Sequence, residues 1–444
     1  MNQPLPKDFG PDFIWGTSTA AYQVEGAVAE DGRGLSIWDV FCRKPGNVLN
    51  GDTGDTACDH YHRYREDIGL MKQLGQQAYR FSVAWPRIFP NGRGKINQPG
   101  IDFYQRLVDE LIANDIDPWL CFYHWDLPQA LQELGGWTNR DTAAWYTDYA
   151  IAVAERLGDR VRHFVMFNEP MVIAFLGHFL GVHAPGVKSK EAFLQAVHHL
   201  NLATGQGLTA LRTQGGDWQL GTVTNFGLGL PAVGTELEAI RRHDELLYWS
   251  FLDPLLLGDY PKSCAPLIEP YVKDGDLQVI HHPLDFLGVN YYFPERVVRD
   301  HFSPLGFQTV APPVGVPRTA MDWEIRPESL TDTLLALKQR YQKTPPIYIT
   351  ENGAAFVDKI EPDGTINDRS RVEFIQDHVA AVGDAKKKGV DVRGYFVWSL
   401  LDNFEWAYGY GRRFGLAYVD YPTQRRTPKA SFYWYQQFIR EARA

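Results

Sequence analysis

Two glutamates carry the chemistry this sequence can do. Glu169 follows Val165-Met166-Phe167-Asn168 and precedes Pro170; Glu351 follows Ile347-Tyr348-Ile349-Thr350 and precedes Asn352-Gly353. Each puts a carboxyl at the end of an apolar, β-rich run, where desolvation is expected. One such Glu alone would read as a capping or ion-paired residue. Two at corresponding strand ends make a carboxylate pair. A pair flanking one bond is what glycoside hydrolysis needs, a proton donor on one side and a nucleophile or base on the other. Their surroundings must push the two pKa values apart, so that one is protonated while the other is charged.

The residues near other strand ends suit a sugar. Gln23, His124, Asn168 and Glu405 can hydrogen-bond hydroxyls, and Trp398 and Trp406 offer flat faces to a pyranose. Arg80 lies inside an apolar run and needs a partner. A carboxylate at the same mouth would serve, with a salt bridge of no catalytic role as the alternative. Tyr292 could donate to a carboxylate or fill space.

The elements that must position these groups follow from the pattern. Apolar or β-branched runs recur at Phe13–Thr19, Ala78–Trp85, Trp119–His124, His163–Glu169, Gln219–Phe226, Asp285–Tyr292, Ile347–Glu351 and Val392–Leu400. Amphipathic stretches lie between them: Tyr64, Ile68, Met71 and Leu74 share one helical face, as do Phe103, Leu107, Val108 and Leu111, and Val372, Ile375, Val379 and Val382. Strands alternating with helices imply a parallel sheet, and eight such units imply an α/β fold of the closed (β/α)₈ TIM-barrel type. A doubly wound open sheet is the other arrangement. In a barrel, Arg80, His124, Asn168-Glu169, Asn225, Asn290, Tyr292, Glu351 and Trp398 all come to one mouth. The Pro/Gly-rich stretch Ser303–Pro317 reads as a long functional loop, so residues 1–444 are expected to form a single catalytic barrel domain with elaborated loops.

Composition narrows the partners. Among 444 residues, 44 Lys and Arg against 54 Asp and Glu leave a net charge of −10, which argues against nucleic acid or an anionic membrane. Cys42, Cys58, Cys121 and Cys264 are widely spaced and fit neither a disulfide framework nor a zinc ribbon. Met1–Phe9 lacks a basic n-region and an apolar h-region, and no apolar run reaches ~18 residues, so a soluble cytoplasmic protein is expected. Competing motifs are weak. His60-x-His62 opens a helix and reads as capping or surface packing. His198-His199 and His281-His282 are neighbours that point to different faces. No H-E-x-x-H occurs, Gly16-Thr17-Ser18-Thr19-Ala20 is not a nucleophile elbow, and Gly409-x-Gly411-x-x-x-Gly415 has the wrong spacing for a dinucleotide loop. Lys386-Lys387-Lys388 reads as a helix C-terminus. Neither a metal nor a cofactor is expected.

From end to end the chain resembles glycoside hydrolase family one, the β-glucosidase family. The resemblance rests on segments in the family's order: Phe13-Ile-Trp-Gly-Thr-Ser-Thr-Ala-Ala-Tyr-Gln-Val-Glu-Gly26, Tyr79-Arg-Phe-Ser-Val-Ala-Trp-Pro-Arg-Ile-Phe-Pro90, Tyr123-His-Trp-Asp-Leu-Pro128, Phe167-Asn-Glu-Pro170, Gly288-Val-Asn-Tyr-Tyr292, Ile349-Thr-Glu-Asn-Gly353 and Trp398-Ser-Leu-Leu-Asp-Asn-Phe-Glu-Trp406. It implies a (β/α)₈ barrel and a retaining, exo-acting β-glycosidase. The expected substrate is a small-molecule β-glucoside or oligosaccharide, with β-galactosides and β-fucosides also open. Glu169 would be the acid/base and Glu351 the nucleophile. Gln23, His124, Asn168, Glu405 and Trp406 would bind the glycone, with Trp398 beneath the ring. Arg80, Asn290 and Tyr292 would support the carboxylates, and Trp323 would line the aglycone side.

The chain departs from the family at Met166, where Thr is usual, at Met171, where Trp is frequent, and at Asp322, where Gly is common. The first is expected to alter support of Glu169; the others bear on the aglycone. Glu405 would repel a phosphate, so the glycone is expected to be unphosphorylated. A transglycosidase with the same pair, a sugar-binding barrel without turnover and a metal-dependent barrel hydrolase stand as alternatives.

Overall fold

Eight parallel strands close on themselves. The computed structural model describes residues 5–232 and 237–444. In chain order the strands are β1 (Ile14–Ser18), β2 (Ala78–Ser82), β3 (Asp117–Tyr123), β4 (His163–Asn168), β5 (Gln219–Phe226), β6 (Phe286–Tyr291), β7 (Ile347–Asn352) and β8 (Val392–Trp398). Each pairs with the next, and β8 returns to β1 in a register running from Ile14 opposite Gly394 to Ser18 opposite Trp398. That last pairing rules out the open sheet.

Large and small side chains fill the barrel's interior. Trp119 meets Phe286, Tyr348 and Phe396 at centroid distances of 5.1, 4.8 and 5.2 Å and stacks on His163 at 4.0 Å. Ala78, Cys121, Val165 and Val223 pack with them. Glycines make the room: a Cβ at Gly16 would lie 2.6 Å from the Phe396 ring, and one at Gly221 2.6 Å from Phe286. A filled interior confines any large cavity to the strand ends.

Among the described residues, seven long helices surround the barrel: α1 (His60–Leu74), α2 (Gln98–Ala113), α3 (Thr142–Leu157), α4 (Lys190–Gln214), α5 (Glu328–Arg340), α6 (Arg369–Lys387) and α7 (Ala430–Ala442). The faces read from the sequence are the faces buried. Tyr64, Ile68, Met71 and Leu74 of α1 and Phe103, Leu107, Val108 and Leu111 of α2 are all inside. In α6, Ile375, Val379 and Val382 are inside and Val372 is half-buried. Each such side chain contributes about 1.5–3 kcal/mol of burial. α1 ends at Gly75, whose left-handed φ of 76° lets its N–H reach the carbonyls of Met71 and Lys72.

Two local expectations need correction. Ser303–Pro317, read as one long loop, carries a strand within it. Phe307–Val310 pairs antiparallel with Arg296–Arg299, which pairs with Leu230–Pro231, so a small side sheet takes up the backbone hydrogen bonds of that strand. His60 does open α1, but its ring does not cap the helix: Nδ1 bonds Asp67 Oδ2 at 2.8 Å inside the core, while His62 sits exposed between Asp59 and Glu30. Among the described residues no group of three or more His, Cys, Asp or Glu could hold a metal ion, and no helix is long and apolar enough to cross a membrane.

Candidate active site

The C-terminal ends of the strands surround a cavity of about 430 Å³. Ten of the residues singled out in the sequence line it: His124, Glu169, Met171, Asn225, Tyr292, Trp323, Glu351, Trp398, Glu405 and Trp406. Gln23, Arg80, Asn168 and Asn290 are fully buried one layer behind and hold the lining groups.

A continuous hydrogen-bond network joins the two glutamates. Arg80 donates from Nη1 to Glu351 Oε1 and from Nη2 to Asn168 Oδ1, each at 2.6 Å. Tyr292 donates its hydroxyl to Glu351 Oε2 at 2.7 Å. Asn290 donates from Nδ2 to Glu169 Oε1 at 2.7 Å and to Asn168 Oδ1 at 3.0 Å, and its own Oδ1 accepts from Thr350 at 2.7 Å. Arg80 therefore has its carboxylate.

The two carboxyls are held differently. Burial, then the charge of Glu351, lifts Glu169 to about 8, against the opposing pull of Asn290 and Arg80. Burial also raises Glu351, but Arg80 and the Tyr292 hydroxyl pull it back. Glu351 is thus the first to ionise and Glu169 the one that keeps its proton.

On the facing side, Gln23 donates to Asn403 Oδ1, the Phe404 carbonyl and Glu405 Oε2 at 3.1, 2.9 and 3.4 Å, leaving its own Oε1 buried without a partner among the described residues. Asn168 Nδ2 donates to His124 Nε2 at 3.0 Å, so the ring, kept neutral by burial and by Arg80, carries its proton on Nδ1, which has no partner among the described residues. Burial and then Glu351 raise Glu405 to about 8. A free acceptor, a free donor and a carboxyl able to do both suit adjacent hydroxyls.

Local backbone sets these groups. Glu169, Trp125 and Trp406 have left-handed φ values of 50°, 79° and 48°. Each costs about 1–2 kcal/mol for a residue with a Cβ and persists where the surroundings over-determine it. The register of β4 against β5 slips between Val165 and Asn168. Val165 packs inside the barrel, Met166 and Phe167 pack outward, and Asn168 turns back in. Met166 therefore faces α4, with Sδ 3.4 Å from where a Cβ on Gly207 would sit. It does not give Glu169 the altered support its sequence position suggests. Asp322 has a φ of 63°, a conformation glycine adopts more easily, and pairs with Arg318 at 2.7 Å. Met171 does line the cavity.

Sequence reasoning missed Trp125, His183, Phe226, Tyr248, Phe293, Glu295 and Phe414, all of which line the cavity. Trp125, Phe226 and Phe293 directly follow residues that were found, and Glu295 lies three beyond Tyr292, so their loops were visible although their direction was not. His183, Tyr248 and Phe414 carried no signal. Trp323 stacks on Phe293 at 4.7 Å and tilts against Tyr292 at 5.4 Å. Among the described lining residues there is no Lys or Arg.

The family model for glycosyl hydrolase family 1 matches residues 5–444. The chain is 45% identical to beta-glucosidase A of Thermotoga maritima, over 98% of each chain. It is 44% identical to a bifunctional beta-D-glucosidase/beta-D-fucosidase of Bifidobacterium breve, over 97% of this chain and 98% of that one. The beta-glucosidase from Thermotoga maritima solved in complex with deoxynojirimycin superposes with a TM-score of 0.93 at 44% identity, covering 98% of this chain and 99% of that chain.

Proposed function

The chain belongs to glycosyl hydrolase family 1 and is a β-glucosidase, and from that premise we propose that it is a retaining exo-β-glycosidase in which Glu351 is the nucleophile and Glu169 the acid/base. Glu351 attacks the anomeric carbon while Glu169 gives its proton to the departing oxygen. A covalent glycosyl-enzyme forms. Glu169, now a base, activates water, and the sugar leaves with its β configuration. Esterification removes the charge of Glu351, so Glu169 becomes more acidic, as its change of role requires.

The observation that carries this reading is the asymmetry of the pair: Arg80 and Tyr292 donate to Glu351 at 2.6 and 2.7 Å, whereas Glu169 takes the Asn290 amide at 2.7 Å. One carboxyl held ionised beside one held protonated is what a nucleophile and an acid require. Direct attack needs carboxyls about 5–5.5 Å apart, whereas an inverting pair stands about 6.5–9.5 Å apart to admit a water. The rest of the residues follow. Trp398 forms the platform beneath the ring, and Gln23, His124, Glu405 and Trp406 hold the glycone. Asn168, anchored by Arg80 and Asn290, presents its amide to the 2-hydroxyl. Trp323 borders the leaving group. With no cation in the described lining, a phosphate on the glycone would find no counter-charge, so the glycone is unphosphorylated. The chain works as one catalytic barrel.

Initial rates on nitrophenyl β-glucoside, β-galactoside, β-fucoside, β-mannoside, α-glucoside and 6-phospho-β-glucoside test the substrate class. Proton NMR of the first product tests the mechanism. β-Glucose appearing before mutarotation supports double displacement; α-glucose as first product overturns it. Added alcohol, by the share of alkyl glucoside it yields, measures how far an acceptor outcompetes water.

A further inference from the structure

Four acids line the cavity, and the reaction proposed above uses three of them. The fourth is Glu295, on the segment that follows β6. Its main chain is pinned on both sides: its N–H donates to the Gly227 carbonyl at 3.2 Å, and its carbonyl accepts from Leu230 at 2.8 Å. Its side chain is clamped through one oxygen. Oε2 accepts from the Tyr248 hydroxyl at 2.5 Å and meets His243 Nε2 at 2.9 Å. The His243 ring is wholly buried, and its Nδ1 bonds Asp244 Oδ1 at 2.8 Å. Burial works against a charge on this imidazole, but the bonds to Asp244 and Glu295 outweigh it and lift His243 to about 9. A buried cation held by two carboxylates is costly to assemble. Here it fixes a carboxyl whose side chain remains 18% exposed and whose Oε1 takes no hydrogen bond from the described residues.

The wall around Glu295 is otherwise apolar. Phe293, two residues earlier, lies under Trp323, and Phe226 and Tyr248 border the same side. An aromatic slab beside a single fixed acceptor matches a group with one apolar face and hydroxyls at its rim.

We propose that Glu295 determines leaving-group specificity. Its free Oε1 accepts a hydrogen bond from a hydroxyl of the departing group, so the enzyme favours leaving groups that are themselves polyols, a second sugar above all. Tyr248 and His243 act through it as positioning residues. The assignment rests on the β-glucosidase reading and names the substrate class of that same site.

Cellobiose and hexyl β-glucoside form a matched pair for the test. Both leave as unactivated alcohols and need the same proton from Glu169, but only one carries hydroxyls on the departing side. The readout is the ratio of their kcat/KM values. Glu295→Leu removes the acceptor and should lower that ratio about ten- to a hundredfold, the range for a hydrogen bond to a charged group. Glu295→Gln keeps an oxygen for Tyr248 and His243 and so preserves the clamp; it should lower the ratio in the same direction by less, and it decides the matter if the leucine variant does not fold. Tyr248→Phe should move the ratio the same way by letting Glu295 turn. An unchanged ratio, or equal loss on both substrates, overturns the assignment while leaving the β-glucosidase reading intact. A wild-type protein that turns over neither substrate sinks that reading and this one with it.

Discussion

At the scale of single residues, protonation separates two glutamates that share a cavity. Glu169 has an amide and a buried setting; Glu351 has an arginine and a phenol. The division makes two predictions. With Glu169 raised to about 8, kcat/KM for a poor leaving group should fall as pH rises through that value, because the donor loses its proton. Glu169→Gln should remove that limb. It should also slow cellobiose by about 10²-fold or more while sparing dinitrophenyl glucoside in the first step; equal loss on both would refute the acid role. The other limb belongs to Glu351. Tyr292→Phe deletes a donor to its carboxylate, so Glu351 should ionise less readily and the acidic limb should shift to higher pH. A profile that does not move would mean Arg80 alone holds the charge. Glu351→Ala should be nearly inactive and be rescued by azide as the α-glycosyl azide.

At the scale of elements, what could be read in advance was what repeats. Strand ends and helix faces obey short periods, so β4, β7 and the buried stripes of α1, α2 and α6 were legible, and with them both glutamates. Non-local contacts were not. The slip that turns Met166 outward and Asn168 inward depends on how β4 meets β5, and the Leu305 carbonyl within Ser303–Pro317 is met by Arg242, 63 residues away. The clearest case is Lys429, just before α7. Fully buried, its Nζ donates to Asp358 Oδ2 at 2.6 Å and Asp402 Oδ1 at 2.7 Å. Asp402 also binds Arg413 and the Gly415 N–H, and Asp358 binds Arg371. This cluster ties the last helix to the loops after β7 and β8, the second of which carries Asn403 and Phe404 to Gln23. Lys429→Met would leave two carboxylates buried with too little counter-charge. It should cost about 3–5 kcal/mol, read as a lower denaturant midpoint, and should raise KM because the loop bearing Glu405 loses its anchor. A variant with the wild-type midpoint would show that the arginines suffice.

At the scale of the whole molecule, the same desolvation that suits the site is a liability for stability. Asp126 shows this apart from catalysis. It lies in the Tyr-His-Trp-Asp segment after β3, is fully buried, and neither oxygen has a hydrogen-bond partner among the described residues. Burial is the main cause that lifts it to about 8, partly countered by Arg33. Nothing in the sequence distinguished this aspartate from a surface one, because its cost arises only once the chain has closed around it. In the unfolded chain it ionises near the ordinary value of about 3.9. Between that value and about 8 the folded state holds a proton that the unfolded state has lost, so stability falls as pH rises, by up to about 1.4 kcal/mol per pH unit. Below this window both states are protonated; above it both are ionised and the loss is complete. Glu169 and Glu405 shift the same way, so wild-type slope alone would not isolate Asp126. The difference between Asp126→Asn and wild type does, since the shared contributions cancel. Denaturant unfolding at a series of pH values should find the two proteins close near pH 4, the variant increasingly the more stable toward pH 8, and the gap level beyond. A gap independent of pH would mean that Asp126 is ionised in the folded protein and that Arg33 compensates its charge after all.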